Sequence, residues 1–404
     1  MTTEGPLAGI RVLDLSRVLA APWATMALGE LGADVIKVER APDGDETRQW
    51  GPPFVGGESA YYLAANRNKQ SIALDLREPR DQAIVRDLAL GWADVVVENF
   101  RPGTLERWGL GLEWLRRENP RLVTASLRGY PAGDDRPGYD FVIQAASGLM
   151  SITGPADGEP YKVGVAVSDL LAGLFLLGGI EAALMRRERT GRGDHVEVSL
   201  WGAQVAALVN VVQSYLVTGE DPRRYGNAHP QLAPYQTFRT QDGWIAIGVG
   251  NDRQFAVLSR ALDHPEWAGD PRFRTNPDRV AHRQELAALL SARLAEAPTG
   301  FWLSRLEALG VPAGPVATIP EALREAERRG HGLVGEVSHP SLGSLRQVRL
   351  PWHFREAAVA MRTAPPRLDQ DRADVLALVA RIRRAQDLKG FKKEGRGESG
   401  PDDH

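Results

Sequence analysis

IRVLDLSRVLAAPWATMALGELGADVIKVE, residues 10–39, is the stretch on which the fold turns. Residues 10–15 (IRVLDL) have the β-branched and apolar content of a strand. Residues 22–31 read as a helix with Pro22 in its first turn, where a missing N–H leaves no bond unmade, and residues 34–39 (DVIKVE) read as a second strand. Strand, helix and strand in this order are the repeating unit of a parallel α/β sheet.

Outward from this unit the pattern repeats. Further strands are predicted at 94–98 (DVVVE) and 122–127, with helices at 79–90 and 112–118, so the N-terminal half forms a Rossmann-like layer. From residue 167 long apolar helices follow, 170–187 and 200–218, separated by TGRGDHVEVSL, which reads as a turn and a strand. A second unit opens near Gly226 with a strand at 244–249 (WIAIGV) and helices at 252–262, 283–296 and 300–309, the intervening DPRFRTNPDR being read as a loop. Beyond residue 333 short strands return, and a helix at 370–385 precedes a polar, Gly-rich end. The expected division is therefore a large Rossmann-like domain at 1–205, a linker at 206–225, a smaller α+β domain at 226–332, a C-terminal segment at 333–387 and a disordered tail at 388–404.

Composition narrows the function. A chain of 404 residues with 43% hydrophobic and 25% charged residues is ordinary globular material for two or three domains. A net charge of −3 offers no field for nucleic acid or anionic membranes, so neither is an expected partner. With 0 cysteines there is no disulfide, thiolate metal site or cysteine nucleophile, and a cytoplasmic location is expected. No secretory signal is visible at the start, and the apolar run 170–185 is short for a bilayer and contains Glu181. His229 and His331 stand alone, so no metal site is expected.

Glu39, ending the second strand, mimics the acid that holds a ribose in dinucleotide-binding units. The segment after the first strand, SRVLAAP, has no G-x-G-x-x-G, which argues against a nicotinamide enzyme, and no P-loop, G-x-S-x-G or H-E-x-x-H run occurs. Lys37, Arg40, Arg67, Lys69, Arg101, Arg128 and Arg136 recur at loop positions of the first domain, several of them at or just beyond predicted strand ends, the side on which open α/β sheets bind ligands. They suit a phosphate-bearing ligand, although each alone also reads as a solvated charge. Asp169 opens a long helix and, by pattern, reads as a cap or first-turn acid. GVGNDRQF, residues 248–255, reads either as a mobile loop or as a strand-to-helix turn capped by Asn251 or Asp252.

Several runs in one order resemble the class III coenzyme A transferases: residues 13–39 of the opening, GDETRQWGPPF, NRNKQSIALDL, VENFRPGTLERWGLG, RPGYDFVIQAASGLMSITG, VGVAVSDLLAG, GNAHPQLAPYQTF and VGNDRQF. The likeness extends from residue 7 to about residue 381. It implies a large Rossmann-like domain, a smaller domain, a C-terminus that returns to the large one, and a homodimer whose chains interlock. It also implies acyl-CoA and carboxylic acid substrates with no tightly bound cofactor, and makes Asp169 the nucleophile, through an aspartyl anhydride and then an aspartyl-CoA thioester. The family's CoA contacts fall on Val18, Leu19, Ala20, Arg40, Asn68, Lys69, Arg101 and Arg136, and its glycine loop, which covers the nucleophile, on Gly248, Gly250 and Asn251. This loop is shorter in glycine than that of formyl-CoA transferases.

Within the family, the runs look most like enzymes that use succinyl-CoA and a dicarboxylic acceptor such as glutarate. Arg48 is the candidate, on charge alone, for the acceptor's second carboxylate. Related α-methylacyl-CoA racemases carry a histidine base where this chain has Tyr139, and a phenol of ordinary pKa near 10 is a poor base at neutral pH. Transfer is thus the reading, with racemisation as the alternative and a non-catalytic CoA-binding protein as a second one.

Overall fold

The structure is a computed structural model and describes residues 4–394. It divides into two units, the first made of the described part of Met1–Ser147, Gly164–Val212 and His331–His404, the second of Gly148–Val163 and Gln213–Gly330. Compared with the sequence reading, Gly148–Val163 moves to the second unit.

In the first unit, strand β1 (Arg11–Asp14) is followed by helix α1 (Ala20–Glu30), β2 (Asp34–Arg40), β3 (Lys69–Leu74), α2 (Pro79–Gly91), β4 (Val95–Glu98), α3 (Leu112–Glu118), β5 (Val123–Arg128), α4 (Asp140–Ala146), α5 (Val167–Thr190), β6 (His195–Ser199) and α6 (Leu200–Ala206). The six strands form one sheet, all neighbours parallel, in the order β3-β2-β1-β4-β5-β6. This is the doubly wound order, in which the chain reverses direction of travel between β1 and β4 and leaves a crevice beyond their carboxyl ends.

Strand periodicity explains why both faces are covered. Successive side chains point to opposite faces. Val12, Val95, Val97, Val123 and Ala125 enter one core with α1, α5 and α6, and Leu13, Ile36, Ile72 and Val96 enter the other with α2 and α3. Near-continuous apolar runs such as VVV in β4 are what a strand buried on both faces requires. Helix α5, 24 residues long and apolar enough to cross a membrane, buries Ala172, Gly173, Leu176, Leu177, Ile180, Ala183 and Leu184 at helical spacing, the pattern of a core helix.

The second unit has an antiparallel sheet of β7 (Tyr235–Arg239), β8 (Trp244–Gly248) and β9 (Ala313–Pro315), with helices α7 (Asp252–Ala261), α8 (Arg283–Leu294) and α9 (Thr299–Ala308) around Phe238, Ile245, Phe255, Leu290 and Trp302. Helix α10 (Ile319–Arg328), absent from the sequence reading, starts with a Thr318/Glu321 capping box that TIPE does spell. The presumed loop at 270–279 likewise contains a capped turn of helix, Asn276–Ala281.

The chain closes with α11 (Arg372–Glu394), packed on α2 and β3, which runs through residues 388–394 where disorder was expected; residues 395–404 of that segment lie outside the described residues. Just before α11 and at its start, Asp369 and Asp371 accept the Ala73 and Ser71 N–H groups of edge strand β3 (2.8 Å each), so that edge is covered rather than left open. The single helix predicted at 200–218 is interrupted by Val209 at φ 37, giving α6 and a separate helix, Val209–Thr218.

Candidate active site

The crevice between β1 and β4 opens into a cleft of about 430 Å³ in the first unit, lined by Arg17–Ala20 after β1, Asn99–Pro102 after β4, the loop from Leu127 to Tyr139 after β5, and Asp169. Two close approaches build it. Gly173 on α5 lies against the start of α1, where an added Cβ would come within 2.7 Å of the Ala20 carbonyl oxygen, and this contact brings the first turn of α5 beside the β1 loop. Gly129 and Gly138 touch backbone to backbone, a Cβ on Gly138 falling 2.7 Å from the Gly129 Cα, so the loop closes on itself and delivers Tyr139 to the cleft just before α4.

Asp169 is 9% exposed. The cap expected of it is supplied by another residue: Asp140 accepts the Ser168 N–H at 2.8 Å and the Asp169 N–H at 3.4 Å, while Gln144 donates to the other Asp140 oxygen at 2.7 Å. Asp140 thus occupies the positive end of α5, leaving the Asp169 carboxyl directed to other work. Burial first, and then the negative charge of Asp140, push the Asp169 carboxyl up to about 7. Burial, Asp169, Asp140 and Asp45 together push the half-buried Tyr61 phenol up to about 12.

The basic residues separate into two groups. Lys69 is fully buried and donates to Asp14 (3.0 Å), the Pro22 carbonyl (2.8 Å) and Asn66 (3.0 Å), so it is a core ion pair and cannot reach a ligand phosphate. Lys37 is paired with Asp45 at 2.9 Å and Arg67 with Glu30, also buried. Asn68 gives its side chain to the returning chain, accepting the Arg362 and Thr363 N–H groups and donating to the Ala360 carbonyl. Arg48 forms a two-pronged bond to Glu39 (2.7 Å each), donates to the Pro366 carbonyl at 3.0 Å and lies 3.7 Å over the Tyr62 ring; the candidate for the acceptor's carboxylate is thereby already engaged. Glu39, held also by Ser71 and the Asp45 N–H, is equally unavailable to a ribose.

Three of the expected CoA-binding elements meet in the cleft. Val18, Leu19 and Ala20 line it; Arg101 lines it with no ion pair among the described residues; Arg136 lines it, paired with Asp134 at 2.6 Å and stacked 4.1 Å over Tyr130. Arg40 is exposed at the end of β2 and paired with Asp43 at 3.3 Å. Tyr139, 65% exposed, also lines the cleft. Gly248, Gly250 and Asn251 belong to the second unit, where Asn251 caps α7 by accepting the Gln254 N–H at 2.9 Å and the Gly250 N–H donates to Gln254 at 2.8 Å, the geometry of a capped turn. The described residues contain no cluster of metal-ligating side chains.

Sequence reading missed Asp140, Tyr61 and Asn99. Asn99 directly follows β4, accepting the Arg17 N–H at 2.9 Å and donating to the Arg17 carbonyl at 2.8 Å. Its place after a predicted strand was the available signal. Asp140 stood beside Tyr139 in a run already singled out, but nothing local says that it caps a helix starting 27 residues later.

Fold and cleft together define a doubly wound α/β protein whose switch-point crevice joins a cationic rim to a carboxyl poised near neutrality. The model of CoA-transferase family III matches residues 7–372. A succinyl-CoA:glutarate CoA-transferase of Mus musculus is 45% identical over 379 residues, 93% of this chain and 87% of that protein. A succinate–glutarate CoA-transferase of Agrobacterium fabrum is 41% identical, covering 94% and 97%. The crystal structure of a CAIB/BAIF family protein from Brucella suis superposes with a TM-score of 0.83 at 41% identity, covering 93% of this chain and 100% of that one. The chain belongs to CoA-transferase family III and is an enzyme that transfers CoA groups.

Arg101→Ala is expected to weaken CoA binding roughly tenfold, the worth of one charge-assisted phosphate contact, with the choice of acid unchanged. Titration calorimetry with free CoA checks this, and an unaltered dissociation constant removes Arg101 from the ligand.

Proposed function

We propose that this protein moves CoA from succinyl-CoA to glutarate or a similar dicarboxylate, with Asp169 as nucleophile. The observation that carries the reading is a buried carboxyl, raised to about 7, at the edge of a cleft framed by the β1 loop and Arg101. A carboxylate of raised basicity is a stronger nucleophile toward a thioester carbonyl. Its attack forms the aspartyl anhydride and expels CoA thiolate; the thiolate returns to the aspartyl carbonyl, releasing succinate and leaving the aspartyl-CoA thioester. Glutarate then attacks this thioester, expelling CoA thiolate and forming an aspartyl-glutaryl anhydride; the thiolate attacks the glutaryl carbonyl, giving glutaryl-CoA and freeing the Asp169 carboxylate. Burial of Asp169 serves the scheme by limiting hydrolysis of these intermediates.

Names of relatives at 41–45% identity support the donor and acceptor. A homodimer belongs to the same reading, and helix Val209–Thr218 supports it: this helix buries no residue and exposes Val209, Tyr215, Leu216 and Val217.

The test is to incubate the protein with succinyl-CoA and a panel of acids (glutarate, mesaconate, citramalate, oxalate, formate) and identify new CoA thioesters by mass spectrometry, with deuterium uptake at the α-carbon of a 2-methylacyl-CoA followed in parallel. Glutaryl-CoA without α-exchange is the expected result. Exchange without transfer would make the enzyme a racemase, and neither would leave a CoA-binding protein without this chemistry.

A further inference from the structure

Val18 stands in the β1 loop at φ 72, a left-handed conformation that a β-branched residue adopts only when its surroundings hold it there. The Val18 N–H points to both carboxylate oxygens of Asp45, at 3.3 and 3.2 Å. Asp45 is in turn paired with Lys37 at 2.9 Å, both side chains fully buried, and the Lys37 ammonium donates to the Ser16 carbonyl at 2.8 Å. One buried ion pair therefore grips the loop at residue 16 through its cation and at residue 18 through its anion, while Asn99 grips Arg17 between them from the end of β4.

The outcome of this grip is at the cleft. Leu19 begins α1 without a side-chain cap, the first turn of α1 carries no acid, and among the described residues the Leu19 and Ala20 N–H groups meet no protein acceptor. Both residues line the cleft.

We infer that the buried Lys37–Asp45 pair is a positioning device for the CoA-binding loop, holding Val18 left-handed so that the loop keeps the shape in which Val18, Leu19 and Ala20 line the cleft. The inference rests on reading this cleft as the CoA site. It assigns a task to a pair that does not line the cleft and that the chemistry at Asp169 does not use.

The test separates positioning from mere stability. Removing Asp45 alone would strand a buried cation, so both charges are removed together, as Lys37→Met/Asp45→Ala. Binding of free CoA and the KM for succinyl-CoA are each expected to weaken roughly tenfold as the strained loop relaxes, with a smaller change in kcat. Adding Val18→Gly to this double variant should recover most of the loss, because glycine adopts positive φ freely. Lys37→Met/Asp45→Asn, which keeps an acceptor for the Val18 N–H but not the Lys37 donor to the Ser16 carbonyl, should recover part of the loss. A double variant that binds CoA normally overturns the positioning role, as does a folded one whose loss neither Val18→Gly nor the asparagine repairs. A wild-type protein that neither binds nor transfers CoA overturns instead the reading of the cleft itself.

Discussion

Asp169→Asn is expected to lower transfer by roughly three orders of magnitude or more while leaving CoA binding in place, because an amide cannot take up the acyl group. The same substitution should stabilise the protein. An aspartate whose carboxyl is raised from 3.8 to about 7 binds its proton more tightly folded than unfolded. The folded state then holds more protons between those values, and stability falls as pH rises through that window, levelling off above about 7. The asparagine variant lacks this loss, so its advantage should be absent near pH 4 and reach about 2–4 kcal/mol at pH 8. In the wild-type enzyme kcat/KM should rise with pH through about 7, since the nucleophile must be ionised in the free enzyme. Denaturation curves at the two pH values and a kcat/KM profile check both halves. Undiminished transfer by Asp169→Asn would end the nucleophile assignment, whereas an unchanged pH dependence of stability would mean that the carboxyl is not the buried group titrating.

Lys69→Ala should damage the fold rather than the ligand site. The ammonium makes three bonds, and its loss leaves Asp14 without its nearest cation and the Asn66 side-chain oxygen without its donor, while the Pro22 carbonyl keeps only the Thr25 hydroxyl among its side-chain donors. Removing one member of a buried pair costs about 3–5 kcal/mol, mostly the penalty on what is left behind. Asp14 itself is driven down to about 2, burial opposing and Lys69, Lys37, Ser16 and Thr25 outweighing it. Its stabilising share is therefore present above about pH 4 and lost as pH falls toward 2. Urea denaturation of the variant gives the magnitude. A variant as stable as wild type with CoA binding abolished would return Lys69 to the phosphate site.

Lys69 also shows how far the sequence could be read. Strand-end location was legible for several of the seven basic residues, because apolar runs and turns locate strand ends. Which of them turn inward was not. Lys37, Arg67 and Lys69 enter the interior only because Asp45, Glu30 and Asp14 meet them there, and those partners are 8, 37 and 55 residues away. Arg48 misled for the same reason: its partner Glu39 was itself set aside as a mimic of a ribose acid, and each accounts for the other.

By itself the sequence determined the parallel α/β layer, since strand and helix periods are local properties, and the motif order singled out Asp169 as the candidate nucleophile. Edge strand β3 was not read from the sequence; in the structure it pairs with β2 on one side, and on the other its Ser71 and Ala73 N–H groups are accepted by Asp371 and Asp369, some 300 residues away. Only the tertiary structure decided that the strand order reverses between β1 and β4, that Gly173 lets α5 settle against Ala20, and that Asp140 replaces Asp169 as helix cap. Each of these depends on residues distant in the chain meeting in space, and a carboxyl acquires its pKa from that meeting rather than from its neighbours in sequence.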